Sequence, residues 1–292
     1  MIGRPPHEIW KDSLEDGQRR LARPAPVMAA TGVLGGLHVT LGLLALVVST
    51  GALTAVLPET TAHVLGSLTF GIGFVFLTVG RAELFTENFL IPVAAVFSGH
   101  SSKRSVARLW AITFAGNLIG IVLLALILTT PGVLEREALQ AAGVLASTLT
   151  ERDLPAAALS AVLAGAVITT FTWLAEASES DLTRVVIALL IGFVLLAPST
   201  NHSVVGFGEV LLGILAGTTD AGWGDLARNT AVAVAGNLVG GVLLVAFLRG
   251  VQSGAELRAR TSAESPGGAS RLVEDGADLV ADERAAKGRQ RG

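Results

Sequence analysis

The chain has 292 residues, of which 51% are hydrophobic and only 15% are charged, and its mean hydropathy is +0.62. A soluble domain of this size needs more charge on its surface, so the composition excludes a soluble protein and indicates a polytopic membrane protein. The chain contains no cysteine, which excludes disulfides and thiolate metal sites.

Six windows of the chain contain no Asp, Glu, Lys or Arg, and each is long enough for a membrane-spanning helix, which needs about 20 apolar residues. They cover residues 24–58, 60–80, 109–134, 154–175, 185–208 and 229–248. We therefore predict an all-α membrane protein with six transmembrane elements over residues 26–249. Residues 1–25 are expected to be a cytoplasmic N-terminal segment. Residues 250–292 are expected to be a largely disordered cytoplasmic tail, with a short amphipathic helix possible at 271–287.

The placement of Lys and Arg predicts the orientation of these elements, because positive charge concentrates in cytoplasmic loops. One side of the predicted topology carries Lys11, Arg19, Arg20, Arg23, Lys103, Arg104, Arg108, Arg184, Arg249, Arg258 and Arg260. The other side carries only Arg136, Arg152 and Arg228. Both termini are therefore expected in the cytoplasm, with the protein in the cytoplasmic (inner or plasma) membrane.

The third and sixth elements share a motif. Residues 115–118 and 235–238 both read A-G-N-L, and Gly120 corresponds to Gly240. Because these elements are three spans apart, they cross the membrane in opposite directions, which predicts two inverted three-helix halves. The glycines at these positions are typical of close helix packing.

The second and fifth elements are interrupted, the second by GRAELFTEN (80–88) and the fifth by LLAPSTNHSVVGFGE (195–209). Non-helical backbone at membrane depth is tolerated where it is buried in protein or lines a polar cavity. Interruptions at corresponding positions of two halves indicate a pore or binding site.

The first interruption carries three charges, which are expensive at membrane depth. We expect Glu83 to support the turn by accepting backbone N–H groups. We expect Arg81 and Glu87 to pair with each other or with Glu209, because unpaired charges are strongly disfavoured there. A direct role in attracting substrate is the alternative.

The ordered motifs AELFTEN, AGNLIG, NHS and AGNLVGG, over about residues 28–249, resemble the formate/nitrite transporter family. The stretch around residues 80–90 resembles most closely its YfdC-like branch. The resemblance implies an aquaporin-like protomer, a homopentamer with one pore in each protomer, and passage of small monovalent weak acids such as formate or nitrite.

The resemblance also implies roles for individual residues. His202 and Thr86 match the central histidine and its threonine partner, which form the proton-relay and substrate site. The pore constrictions match Leu84, Phe85 and Phe74 on the cytoplasmic side, and Phe70 and Leu195 on the opposite side. Asn201 and Ser203 flank the histidine as turn support or selectivity residues.

The chemistry of such a pore follows from the cost of moving charge. A bare carboxylate in a low-dielectric passage costs tens of kcal/mol by idealised estimates, whereas a neutral acid loses only hydrogen bonds, at about 2–7 kcal/mol. Histidine is the side chain that titrates near neutral pH. We therefore expect His202, held through Thr86, to donate or share a proton with the entering anion.

Three alternatives remain open from the sequence. An aquaporin-like channel for neutral solutes would share the inverted repeat, although both N-P-A motifs are absent. A transporter of the same fold could carry another cargo. An intramembrane enzyme using Ser203 or Thr200 lacks a supporting motif, so we expect no enzymatic activity. No metal-ligand spacing, nucleotide-binding loop or nucleic-acid-binding stretch is present, and we predict no cofactor, metal or nucleic-acid partner.

Overall fold

The structure is a computed structural model that describes residues 4–254. This part of the chain is helical throughout, with short connections between the helices. The α-helices are α1 (Pro6–Leu21), α2 (Ala25–Thr54), α3 (Glu59–Val79), α4 (Ile91–Phe97), α5 (Lys103–Leu128), α6 (Arg136–Thr150), α7 (Leu154–Ala177), α8 (Asp181–Leu196), α9 (Val205–Ala216) and α10 (Trp223–Leu238). A 3₁₀ turn, Thr86–Phe89, precedes α4, and a π-helical segment, Val239–Ala246, continues α10.

The helices α5, α7 and α8 each begin after a residue whose side chain caps an exposed backbone N–H group. The Ser102 hydroxyl accepts a hydrogen bond from the Ser105 N–H before α5, and the Asp153 carboxylate accepts one from the Ala156 N–H before α7. The Ser180 hydroxyl does the same for Thr183 before α8. These polar capping residues mark where one helix ends and the next apolar helix begins.

Five helices in the described part of the chain are long and apolar enough to cross a membrane. They are Ala25–Thr54, Glu59–Val79, Lys103–Leu128, Leu154–Ala177 and Trp223–Gly254. The predicted element at 185–208 is divided between α8 and α9, and the second element is divided between α3 and α4. The prediction of broken second and fifth elements is confirmed.

The packing of the helices repeats between the two halves. In the first half α1 packs on α4 and α2 packs on α5, and in the second half α6 packs on α9 and α7 packs on α10. Helices α3 and α8 meet where the halves join. The end of α2 lies beside α6, where Gly51 approaches Glu137, whereas the end of α7 lies beside α1. Helices α2 and α7 therefore run in opposite directions, as an inverted repeat requires.

The repeated glycines serve helix contact, as predicted. A Cβ atom at Gly120 would collide with the backbone of Val33 in α2, and one at Gly240 would collide with the backbone of Val162 in α7. Small residues at these positions let the two helix backbones approach closely.

Helices α1 and α6 were not predicted as elements. They begin before the first transmembrane helix of each half and pack on the short half-helices α4 and α9. Both are short and amphipathic, so a search for charge-free windows passes over them. The final helix continues to Gly254, beyond the predicted boundary at residue 249, and the rest of the predicted tail lies outside the described residues.

Candidate functional site

The first break, between α3 and α4, is held by Asn117 of α5. The side-chain oxygen of Asn117 accepts from the Phe85 N–H at 2.9 Å. Its amide nitrogen donates to the Glu83 carbonyl at 2.9 Å and to the Gly32 carbonyl of α2 at 2.8 Å. The bonds to Phe85 and Glu83 satisfy backbone groups that the break leaves outside a helix, and the bond to Gly32 ties the break to α2.

Asn237 of α10 holds the second break in the same way. Its side-chain oxygen accepts from the Ser203 N–H at 2.9 Å. Its amide nitrogen donates to the Asn201 carbonyl at 3.1 Å and to the Ala161 carbonyl of α7 at 2.8 Å. Asn117 and Asn237 are both fully buried and occupy the same position of the repeated motif.

The two breaks share an unusual backbone conformation. Arg81 and Ser199 are the non-glycine residues with positive φ in the described part of the chain, at 52° and 51°. In each break, the residue that follows the one with positive φ donates its N–H to a carbonyl five residues earlier. Ala82 donates to Leu77, and Thr200 donates to Leu195. Arg81 and Ser199 therefore occupy the same position after their helices.

This equivalence aligns the functional residues of the two halves. Counting from Arg81 and Ser199, Leu84 occupies the position of His202, and Thr86 occupies the position of Val204. The backbones of the two breaks are therefore equivalent, but their side chains are not. Thr86 and His202 are polar, whereas the residues at the equivalent positions of the other half, Val204 and Leu84, are apolar.

The side chains of Thr86 and His202 meet across the two breaks. Thr86 Oγ1 lies 2.8 Å from His202 Nε2, and neither residue is exposed to solvent. His202 Nδ1 accepts from the backbone N–H groups of Val204 at 3.3 Å and Val205 at 3.1 Å, at the start of α9. Because Nδ1 accepts, the ring proton is on Nε2, and Nε2–H donates to the Thr86 oxygen.

The Thr86 hydroxyl consequently retains a free donor. Its oxygen accepts from His202, and its O–H has no acceptor among residues 4–254. A hydroxyl that accepts one hydrogen bond donates a second one more strongly, because hydrogen bonds in a chain polarise one another. The pair therefore presents one O–H donor at the junction of the two breaks.

The predicted constriction residues lie in one buried hydrophobic cluster, but they form two groups. Phe70 and Phe74 pack edge-to-face at 5.2 Å, and Phe74 stacks on Phe171 of α7 at 5.6 Å. Leu84 and Leu195 belong to the same cluster and are completely buried.

Phe85 forms the second group. Its ring packs against Phe89 at 4.9 Å, Phe114 at 5.0 Å and Trp110 at 6.1 Å. Phe85 therefore extends toward α5, whereas Phe74 contacts α7 and Phe70 packs on Phe74.

The backbone partner predicted for Glu83 is wrong, and the pairing predicted for Arg81 and Glu87, within the protomer or with a neighbouring one, is not formed among residues 4–254 of one protomer. The Glu83 carboxylate does not accept a backbone N–H group. It forms an ion pair with Arg23, which follows α1, and lies 3.7 Å from Arg20 of α1. These cations are distant in sequence, and the fold of α1 onto the break brings them together.

Glu87 provides the backbone support that was predicted for Glu83. Its Oε2 atom accepts from the Leu84 N–H at 3.1 Å. Within residues 4–254, neither Arg81 nor Glu87 forms an ion pair with the other or with Glu209. Arg81 is exposed, because its left-handed backbone turns it toward the cavity beside α1.

Glu209 lies in the other half of the molecule, on α9. It is 2% exposed, its Oε2 atom has no hydrogen-bond partner in the described residues, and Arg152 is the cation whose charge reaches it. Its separation from the first break follows from the inverted repeat, which places α9 against α6 and α4 against α1.

Asn201 and Ser203 both lie beside His202 in the second break. The amide of Asn201 exchanges hydrogen bonds with the amide of Asn229 at 2.9 and 3.2 Å, and its N–H donates to the Ser160 hydroxyl. The Ser203 N–H is bound by Asn237, and its buried hydroxyl has no partner in the described residues.

A cavity of about 640 Å³ lies on the α1 side of the first break. Its walls come from α1, from the end of α3 and the break, and from the α7–α8 connection. At its rim the hydrogen bond from Arg4 to Asp12, at 2.5 Å, raises the pKa of the Arg4 guanidinium. Glu83 and Glu87 line the cavity, so it reaches the break that carries Leu84.

Several site residues were missed from the sequence. Asn117 and Asn237 could have been found from the sequence. Each is a polar amide in the middle of a charge-free span, and each is the asparagine of the repeated A-G-N-L motif. Arg20 and Arg23 were considered only for topology, and their contact with Glu83 had no signal in the sequence.

The sequence model of the formate/nitrite transporter family matches residues 7–250. The chain belongs to this family. It is 25% identical over 254 residues to the inner membrane protein YfdC of Escherichia coli K12, which covers 86% of this chain and 80% of YfdC. It is 27% identical over 252 residues to the formate channel BtFdhC of Bacillus thuringiensis, covering 83% of this chain and 93% of that protein.

Solved structures show the same fold. A structure described as an FNT family ion channel aligns with a TM-score of 0.73 at 18% identity, covering 82% of this chain and 96% of that one. A pentameric formate channel with formate bound aligns with a TM-score of 0.64 at 18% identity, covering 77% of this chain and 95% of that one. The predicted family, its YfdC-like character and the all-α membrane fold are confirmed.

Proposed function

We propose that this family member conducts small monovalent weak acids, such as formate or nitrite, past the Thr86–His202 pair. The single observation that carries the proposal is the fully buried 2.8 Å contact between Thr86 Oγ1 and His202 Nε2 where the two breaks meet. The formate channel among its relatives supports a small anion as the cargo.

The passage selects against charge. Phe70, Phe74 and Leu84 are completely buried and offer an anion no hydrogen bonds. An anion among such residues loses its hydration without compensation, whereas the neutral acid pays only for lost hydrogen bonds. The Thr86 O–H then donates to an oxygen of the acid, and this reduces the remaining cost.

His202 shares its proton in this arrangement. Its Nε2–H polarises Thr86, and its Nδ1 is already occupied by two backbone donors. The neutral acid is held through this hydrogen-bond chain, and beyond the passage it keeps its proton or releases it. A different cargo of the same charge class would use the same pair.

The orientation and assembly belong to the same proposal. The α1 side is rich in Lys and Arg, which favours a cytoplasmic location for both termini. The pentameric structural relative supports a homopentamer with one pore in each protomer. Because the chain has no cysteine, single cysteines introduced at Ser101 and Asp220 report sidedness with an impermeant maleimide. Labelling of the Ser101 position from outside intact cells would contradict the orientation, and native mass spectrometry tests the pentamer.

The transport test is flux into proteoliposomes at two pH values, with monocarboxylates, nitrite, hydrosulfide and water as cargoes. We expect acid flux that rises as pH falls, and loss of this flux in His202→Asn. His100→Asn is the matched control, because His100 is an exposed histidine in the connection between α4 and α5. Water permeation far above acid flux would instead favour a channel for neutral solutes.

A further inference from the structure

The Thr86–His202 pair does not explain which group protonates the entering anion. His202 has one ring proton, on Nε2, because Nδ1 accepts from Val204 and Val205. Such a ring donates a hydrogen bond, but releasing the proton would leave an imidazolate anion in a buried site. An anion that becomes a neutral acid on the α1 side therefore needs a different proton donor.

We propose that Glu87 supplies this proton and exchanges it with the solution on the α1 side. The proposal rests on the proposed function, since it names the proton donor of the same pathway. Glu87 directly follows Thr86 in the 3₁₀ turn and lines the cavity of about 640 Å³. Its carboxylate thus lies between the solution in the cavity and the proposed substrate site.

The contact with Leu84 places the carboxyl group at the constriction. Glu87 Oε2 accepts from the Leu84 N–H at 3.1 Å, and no other hydrogen bond of Glu87 is formed within residues 4–254. Its second oxygen is therefore available to carry a proton toward an anion in the cavity.

Glu87 differs in pairing from four of the acidic residues that line the cavity. Asp12, Asp16, Asp181 and Glu83 each have an arginine within ion-pair distance. Glu87 has none in the described residues, although it lines the same cavity. A carboxyl group at membrane depth without a paired cation is stabilised in its protonated form.

Charged groups of both signs face Glu87. Arg20 of α1 is the cation whose charge reaches it, and the carboxyl groups of Glu83 and Glu176 face it from the break and from α7. Arg20 is shared, because it also binds Asp16 at 2.8 Å. In addition, the buried Oε2 atom of Glu83 has no partner in the described residues. The charge of Arg20 is therefore divided between Asp16 and Glu83, and Glu87 has no cation of its own within residues 4–254.

The proton step balances with water as the only co-reactant. The O–H bond of Glu87 breaks and an O–H bond forms on an oxygen of the entering anion, which yields the neutral acid and the Glu87 carboxylate. The carboxylate then takes a proton from a hydronium ion in the cavity and leaves water. The neutral acid continues past Leu84 to the Thr86 hydroxyl.

The test compares Glu87→Gln, Glu87→Asp and Glu15→Gln in inside-out and right-side-out vesicles. Glutamine keeps an oxygen for the Leu84 N–H but carries no exchangeable acid proton, so the turn is preserved. Glu15 is an exposed residue that lines the same cavity and serves as the control. The readout is the maximal formate flux as the pH on the α1 side alone is varied.

We expect Glu87→Gln to lower the maximal flux by roughly tenfold or more, as for loss of a general acid, and to abolish its dependence on the α1-side pH. Glu87→Asp and Glu15→Gln should keep that dependence. An unchanged α1-side pH profile in Glu87→Gln overturns the proposal. If the wild-type protein conducts no weak acid, or His202→Asn behaves as wild type, the proposed function itself is wrong.

Discussion

Asn117 and Asn237 make the same three hydrogen bonds in opposite halves of the molecule. Each amide connects one break to the first transmembrane helix of its own half. These two residues thus support the two halves in the same way. Thr86 and His202, by contrast, have no polar equivalents in the opposite half, and they form the candidate site.

Removal of one of these amides should destabilise the fold. Asn237→Leu leaves the Ser203 N–H and the Asn201 carbonyl without these partners, and each orphaned buried group costs about 1–3 kcal/mol. We expect a clear fall in the melting temperature of the detergent-solubilised protein. Thr230→Val on the same helix is the control, because its hydroxyl bonds only to the Leu226 carbonyl of its own helix. Equal melting temperatures for the two variants would show that Asn237 does not hold the break.

The contact between α7 and α10 should not tolerate a larger side chain. A Cβ atom at Gly240 already collides with the Val162 backbone, so Gly240→Leu forces the helices apart. We expect loss of the assembled protein in size-exclusion chromatography. Gly224→Ala, near the start of α10, has open space around it and should assemble normally. Normal assembly of Gly240→Leu would disprove the close approach.

The ion pair between Arg23 and Glu83 should show measurable coupling. Glu83 is buried, whereas Arg23 is partly exposed, so its removal leaves an acid with Arg20 as its remaining cation. We expect Arg23→Gln to cost about 1.5–3 kcal/mol, the range for a hydrogen bond to a charged group. Glu83→Gln in the same background should recover part of that loss, as a double-mutant cycle on thermal stability would show. Strictly additive losses would mean that the two side chains do not interact.

The sequence was informative where the signal lies in a single segment or in a repeated motif. The charge-free windows located the long helices, and the A-G-N-L repeat revealed the two halves. Helices α1 and α6 escaped because they are short and amphipathic. The backbone role predicted for Glu83 was wrong because its partners Arg20 and Arg23 are distant in sequence and reach the break only through the packing of α1 on α4.

The histidine site needed both the sequence and the structure. Thr86 and His202 were selected from the resemblance to a family, since a lone histidine in a polar break has no distinctive signal. The 2.8 Å contact and the backbone donors on Nδ1 depend on the meeting of two breaks that are 116 residues apart. No local pattern encodes that geometry.

The most direct test of the central claim is formate flux through Thr86→Val and Thr86→Ser in proteoliposomes at one fixed pH. Valine keeps the shape of threonine but has no O–H donor, whereas serine keeps the donor. Loss of a hydrogen bond to the neutral acid costs about 0.5–1.5 kcal/mol, which corresponds to roughly a two- to tenfold lower rate. The account predicts that loss for Thr86→Val and near-normal flux for Thr86→Ser. Wild-type flux through a correctly assembled Thr86→Val protein would contradict it.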